Sequence, residues 1–486
     1  FMIILVNSKI SQSNIVESLG KPEYSYYFLL REFLPALERI GTLIQVNSLD
    51  EVDTLYDQHT AAGEDVIFLS VSPPHQTPVG LRCPTVCLFA WEFYNIPNQA
   101  WDNEPRNDWR YVFEHMAGVI ACSEESAQAV RNAMGEDYPV IALPAPVFDR
   151  FQHLNQAQGW LPHQPNRSFE FNGFLYDSLT LGLSADGLVQ HMERPQPYAL
   201  FTPPPPMARK STWQITKEHW QAWRRAVNKS QHTTAQASQE EPPPATPNNH
   251  YHIELTGTVY TTVVNPMDNR KNWRFILTSF CWAFRDEPNV TLIVKATHHN
   301  LETYRIELLT VLSRLAPFSC RIILVHGFLE KEQYDNLIKI TDFYINASMC
   351  EGLCLPLMEF LSSGKPVIAP NNTAMLDYIN PDFSLMIDST PEPWQWAPDP
   401  YGYFSTHRYR INWHTVMQHF QSSQYIAEQQ PERYQQMSLA ATARMQRFCN
   451  LQYITEKLGA FLTLTMSAVQ QHQNQAQALV ADKASL

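Results

Sequence analysis

Apolar residues in this chain come in short continuous runs separated by stretches of helical spacing. That is the pattern of strands buried on both faces of a sheet and alternating with helices. Residues 2–6, 43–46, 66–71, 85–90, 118–121 and 139–143 are such runs. After the first, a polar loop over 7–23 precedes a helix from Ser25. Tyr27, Leu30, Phe33, Leu34 and Leu37 fall on its apolar face, and Pro35 is expected to end or kink it. The alternation predicts a doubly wound α/β domain over residues 1–150. A second α/β domain is predicted over 251–445. It opens with a strand-like run at 253–264, a turn at 265–269 and a helix marked by Ile276, Phe280, Ala283 and Phe284. Strands at 290–295 and 321–326 alternate with helices at 301–315 and 330–340. A tighter unit follows: a strand at 342–348, a loop at 349–355, a helix at 357–363 closed by Gly364, and a strand at 367–369. A Pro- and aromatic-rich loop is expected at 381–408. Helical spacing returns over 432–464, and residues 446–486 are read as a helical tail, frayed from Gln470.

Residues 151–250 fit neither domain and are expected to be an irregular insertion or linker, partly disordered. Prolines crowd 203–206, and 230–249 is rich in Gln, Ser, Thr, Pro and Glu. Trp213, Trp220 and Trp223 mark a helix with an aromatic face. Docking on the body is its default role, with a membrane interface or a partner as the other options.

The 486 residues suffice for two or three domains. A net charge of −13 argues against a nucleic-acid surface. Eight scattered cysteines without a CxxC pair read as free thiols in a reducing compartment. No stretch approaches the length of a membrane span, and no basic segment followed by a long apolar one marks a secretion signal. The expected setting is cytoplasmic, free or peripheral on a membrane.

The candidate chemistry centres on the unit at 342–369. Glu351 lies in its loop and Glu359 one turn into its helix, with seven residues between them. Gly352 is read as allowing a ligand close to the backbone, and Pro356 suits the helix start. First-turn N–H groups favour an anion, whereas a carboxylate beside it favours neutral hydroxyls. A phosphate flanked by two hydroxyl-rich groups describes a nucleotide sugar. No G-x-G-x-x-G is present, which removes the main support for a dinucleotide site.

The stretch EGLCLPLMEFLSSGKPVIAP resembles the donor motif of retaining glycosyltransferases of the GT-B fold, family 4 (glycosyl transferases group 1). The resemblance implies two facing Rossmann-like domains with a cleft between them. It implies that Glu351 contacts the transferred sugar and Glu359 the ribose, with Leu353 and Cys354 in the same donor loop. Arg270 and Lys271 precede a helix start on the same side of the sheet, where cations neutralise a diphosphate leaving group. Lys271 matches the family's diphosphate lysine, and Arg270 stands in for an arginine with no clear match near Gly257. Gly327 matches the turn against which the nucleobase lies, with Phe328 beside it. Acceptor contacts are expected from the first domain, from His75, Trp91 and Glu92 at strand ends.

The reading is a hexosyltransferase-type enzyme that moves a sugar from a nucleoside diphosphate to a hydroxyl of a glycan or lipid-linked glycan, with retention and without a metal or other cofactor. Polysaccharide or glycoconjugate biosynthesis is the expected setting. A sugar-nucleotide epimerase of similar two-domain fold and a non-catalytic nucleotide-sugar or glycan-binding protein are the alternatives. His298 and His299 are adjacent, lack an evident third ligand, and read as loop residues near the cleft rather than a metal site.

Overall fold

The first apolar run becomes β1 (Met2–Asn7) in a computed structural model that describes residues 2–7, 22–180 and 249–484. Helices α1 (Pro22–Ile40) and α2 (Asp50–Ala61) alternate with β2 (Thr42–Val46) and β3 (Asp65–Val71). β4 (Thr85–Phe89), α3 (Trp109–Glu114), β5 (Gly118–Ala121), α4 (Glu124–Met134) and β6 (Val140–Ala142) complete the first sheet, and α5 (Phe148–Phe151) leads away from it. The strands lie in the order β2-β1-β3-β4-β5-β6, all parallel. β1 is apolar throughout its middle because both faces are covered: Ile4 and Val6 join one core, Ile3 and Leu5 another. Pro35 does not end α1, which runs through it. The helix buries Leu29, Leu30, Phe33, Ala36 and Leu37, and that burial outweighs one missing backbone hydrogen bond.

The second sheet begins earlier than the pattern predicted. β7 (Arg167–Asp177), within the stretch read as an irregular insertion, is one of its strands. Residues 181–248, with Trp213, Trp220 and Trp223, lie outside the described residues. The run at 253–264 is two strands, β8 (Asn249–Leu255) and β9 (Thr258–Val264). Gly257 separates them at φ 66°, and a Cβ there would collide with the Asn289 carbonyl at 1.7 Å. Then follow α6 (Trp273–Ala283), β10 (Val290–Ala296), α7 (Glu302–Leu315), β11 (Arg321–His326), α8 (Lys331–Ile340), β12 (Phe343–Ile345), α9 (Leu355–Ser362), β13 (Val367–Pro370) and β14 (Ser384–Ile387). The order is β14-β13-β12-β9-β10-β11-β7-β8. β14 through β11 are parallel, and β7 and β8 add an antiparallel edge.

The predicted loop at 381–408 instead contains β14 and an antiparallel hairpin, β15 (Ser389–Gln395) with β16 (Ser405–Ile411). Helices α10 (Trp413–Gln429), α11 (Pro431–Cys449) and α12 (Leu451–Ala484) end the chain. α12 does not fray at Gln470. It lies on the first domain, where Phe461 packs over Gly118 and the Gln470 side chain donates to Asp65 at 2.6 Å. No described helix is long and apolar enough to cross a membrane.

One feature of the second sheet locates the site. From β9 the chain steps outward through β10 and β11, then returns to place β12 on the other side of β9. At such a reversal the loops leaving two neighbouring strands diverge and open a crevice beyond their carboxyl ends. The loops after β9 and β12 carry Arg270, Lys271 and Glu351.

Candidate active site

The loop after β9 turns on Asp268. Its carboxylate accepts from the Arg270 backbone N–H at 3.1 Å and holds the guanidinium at Nε (3.1 Å) and Nη2 (2.8 Å). Arg270 then reaches the first domain, with Nη1 3.1 Å from Oε1 of Glu92 on the loop after β4. Its carbonyl accepts from Met349 N–H at 2.9 Å, which ties the two loops of the crevice together. Lys271 Nζ lies 2.7 and 2.8 Å from the two carboxylate oxygens of Glu351. The Glu351 backbone N–H donates to Thr373 Oγ1 at 2.9 Å, and the residue is 3% exposed.

These charges set one another's ionisation. Burial pushes the Glu351 carboxyl up, but the Lys271 and Arg270 cations outweigh it and hold the group below the usual carboxylate range. Burial likewise opposes the Lys271 ammonium, and Glu351 keeps it above its ordinary value. At Glu92 burial wins over Arg270, and the carboxyl stays raised.

α9 starts from Cys354, which takes a left-handed conformation at φ 65°, and Pro356 sits in its first turn. Glu359, one turn in, is buried and accepts from the Tyr334 hydroxyl of α8 at 2.5 Å. Burial raises its pKa against the opposing pull of Arg150 in α5 and of Tyr334. Burial raises the Tyr344 hydroxyl well above its ordinary value, and the Glu351 and Glu359 charges add to that. Leu353 and Cys354 are buried beneath them; the Leu353 carbonyl accepts from Tyr378 at 2.9 Å, and Cys354 Sγ takes the Asn346 amide at 2.9 Å.

Gly352 was expected to let a ligand approach. The backbone it admits is that of the first domain: a Cβ at Gly352 would lie 2.8 Å from Trp91 N and 3.1 Å from the Ala90 carbonyl carbon. The two domains touch here, and only a glycine fits between them. Gly327, at φ 144°, is similarly required by the neighbouring strand, with Asn172 O 3.1 Å from where its Cβ would be. Phe328 after it is half-buried.

The expected acceptor residues divide. Glu92 lines the crevice through its pairing with Arg270. Trp91 does not offer a ring for stacking. It is 4% exposed, its indole N–H donates to Asn95 O at 2.7 Å, and Trp109, Phe93 and Trp396 surround it at 4.4, 5.0 and 5.4 Å between ring centroids. His75 stacks on Trp109 at 6.1 Å and meets Trp396 edge-on at 5.8 Å. Both belong to an aromatic cluster that the β15–β16 hairpin helps to close, which no local pattern announces.

Sequence reasoning missed Tyr334, Arg150, Thr373 and Lys295. The first three carry no local signal: Tyr334 donates to Glu359, Thr373 accepts from the Glu351 N–H, and Arg150 pairs with Glu32 and lowers the Glu359 carboxyl through its charge. Lys295 did have one: a cation ending the apolar run VTLIVKA. It is 5% exposed, donates to Ala296 O at 3.1 Å, and burial alone pulls it down to about 7. Among the described residues no group of three or more His, Cys, Asp or Glu is placed to hold a metal ion.

Residues 322–396 match the family described as glycosyl transferases group 1. No curated protein matches the chain. Sucrose-phosphate synthase from Thermosynechococcus elongatus is similar in fold, with a TM-score of 0.50 and 12% identity over 96% of this chain and 99% of that one. HepE of Anabaena in complex with UDP and glucose aligns at a TM-score of 0.49 and 13% identity, over 95% of this chain and 100% of that one. At 12% identity the likeness to sucrose-phosphate synthase is one of fold. The group 1 match lies over β11 to β15, across the loop of Glu351 and the helix of Glu359, and the two α/β domains share the fold of GT-B glycosyltransferases.

Proposed function

We propose that this enzyme transfers a sugar from a nucleoside diphosphate to a hydroxyl of a glycan or lipid-linked glycan, with retained anomeric configuration and without a metal. The observation that carries the reading is the buried pairing of Lys271 with Glu351 at the switch point of the second sheet. Lys271 sits on a flexible stem. A diphosphate entering beside Arg270 draws the ammonium away and frees Glu351 for the hydroxyls of the transferred sugar. Glu359 accepts from the ribose hydroxyls, and the first turn of α9 faces the diphosphate. As the bond from the anomeric carbon to the phosphate oxygen breaks, the acceptor oxygen bonds to that carbon on the same face. Its proton passes to the departing phosphate, whose charge Lys271 and Arg270 stabilise. A cytoplasmic setting, free or peripheral on a membrane, belongs to this reading, and the eight buried, unbridged thiols support a reducing compartment.

A thermal-shift screen against UDP-, GDP-, ADP- and dTDP-sugars tests it. Stabilisation by one of them names the donor. No shift with any would sink the reading, and turnover to a free epimerised sugar without acceptor would replace transfer with epimerisation.

A further inference from the structure

We propose that the rings of Tyr409, His407 and Tyr94, continued by Tyr401 and Tyr403 at the tip of the β15–β16 hairpin, form a platform for the sugar rings of an oligosaccharide acceptor. The inference rests on the glycosyl-transfer reading and adds to it the acceptor class and its place.

The track starts at the donor loop. The Tyr409 backbone N–H donates to Met349 O at 2.8 Å, in the loop that carries Glu351. The Tyr409 and His407 rings meet edge-on at 5.5 Å, and His407 lies parallel to Tyr94 at 4.1 Å. Tyr94 shares a loop with Glu92, the acid paired with Arg270. Tyr401 and Tyr403 stack on each other at 5.4 Å. Yet Tyr94, Tyr401 and Tyr403 are 44, 56 and 54% exposed. Each of these rings has one stacked neighbour and still remains exposed.

These exposed rings are held in place. Asn95 Nδ2 donates to Ser405 O at 2.9 Å across the domains, and the Tyr401 hydroxyl donates to Asp102 at 2.5 Å. Asp399 accepts from the backbone N–H groups of Tyr401 (2.9 Å) and Phe404 (2.6 Å). Large apolar surface that is both exposed and immobilised gains nothing for folding and lowers the ordering cost of a ligand. Its chemistry selects the occupant. No Leu, Ile, Val, Met or Phe is exposed between Ser389 and Ile411, so an acyl chain or an apolar helix lacks its aliphatic counterpart. Flat rings with hydroxyl rims suit a sugar ring, which presents C–H groups on its face and hydroxyls around it. The platform also supplies what Trp91 and His75, locked in the aromatic cluster, do not.

The test uses the whole chain and the variants Tyr94→Ala, Tyr94→Phe and the double Tyr401→Ala/Tyr403→Ala. Each is titrated with maltohexaose, cellohexaose and chitohexaose by saturation-transfer NMR, and with UDP and GDP by thermal shift. At least one hexasaccharide is expected to bind. Its affinity falls about tenfold in Tyr94→Ala and in the double variant and is kept in Tyr94→Phe, while the nucleotide response stays the same. A nucleotide shift with no hexasaccharide bound, or sugar binding unchanged in both alanine variants, overturns the platform and leaves the transferase reading standing. Sugar binding lost on schedule with no nucleotide response keeps the platform and removes the transferase.

Discussion

On the charged side of the cleft Asp268, Arg270, Lys271 and Glu351 are charges held by one another, and Glu359 is buried. On the aromatic side Trp91, Phe93, Trp109 and Phe404 form a dry cluster of rings, with Trp396 packed against it. The two walls answer different needs. A buried charge is stable only while it has a partner, and a ligand that brings a better partner can take its place. Buried rings contribute by area, without direction, and exchange for nothing. The charged side can therefore swap partners, whereas the aromatic side holds the domains together.

Truncating a charge and truncating a ring should separate these roles. The largest effect is expected from Lys271→Ala. Loss of its charge from the leaving group should lower kcat by about 10²–10³, with a smaller change in donor affinity, read by single-turnover kinetics. The same variant strands Glu351, so chemical denaturation should show a loss of about 3 kcal/mol that adding Glu351→Gln largely restores without restoring the rate. A rate restored along with stability would mean that the pair is only structural.

Next comes Trp396→Ala, expected to cost about 2–3 kcal/mol of stability by opening the aromatic cluster. Nucleotide affinity should stay within about twofold. Affinity that falls in step with stability would show that the two walls are one cooperative unit. If Glu359 accepts from the ribose as proposed, Glu359→Gln should weaken nucleotide binding about tenfold, by calorimetry. Folding stability should hold or rise, since burial makes the ionised Glu359 costly.

The smallest and most diagnostic effect is with pH. The Glu359 carboxyl is raised above 4.5, so the folded chain takes up its proton first as pH falls. Nucleotide affinity, which on the proposed reading uses the ionised form, should begin to drop above that value. Glu351 is lowered below 4.5; the stability of its pair with Lys271 is present above the unfolded value and is lost only as pH falls through the lower folded one. Affinity should fail before stability on acidification. The reverse order, in parallel pH titrations of binding and denaturation, would exchange the roles of the two acids.

Much of this protein was legible along the chain, and for a local reason. Runs of 4–7 apolar residues, helical spacing, Gly364 after α9 and Pro356 within it act through neighbours in sequence, so periodicity and residue type alone located most strands and the loop of Glu351. The acids and cations of the candidate site could be singled out for the same reason: a carboxylate at a strand-to-helix turn has a limited set of uses. What tertiary structure decided are pairings between distant segments. Glu92 meets Arg270, Glu359 meets Tyr334, β7 joins the second sheet, and the β15–β16 hairpin packs over Trp91, leaving that ring buried and Tyr94 exposed. Burial and ion pairing depend on which surfaces are brought together in space, and no window along the sequence contains both partners.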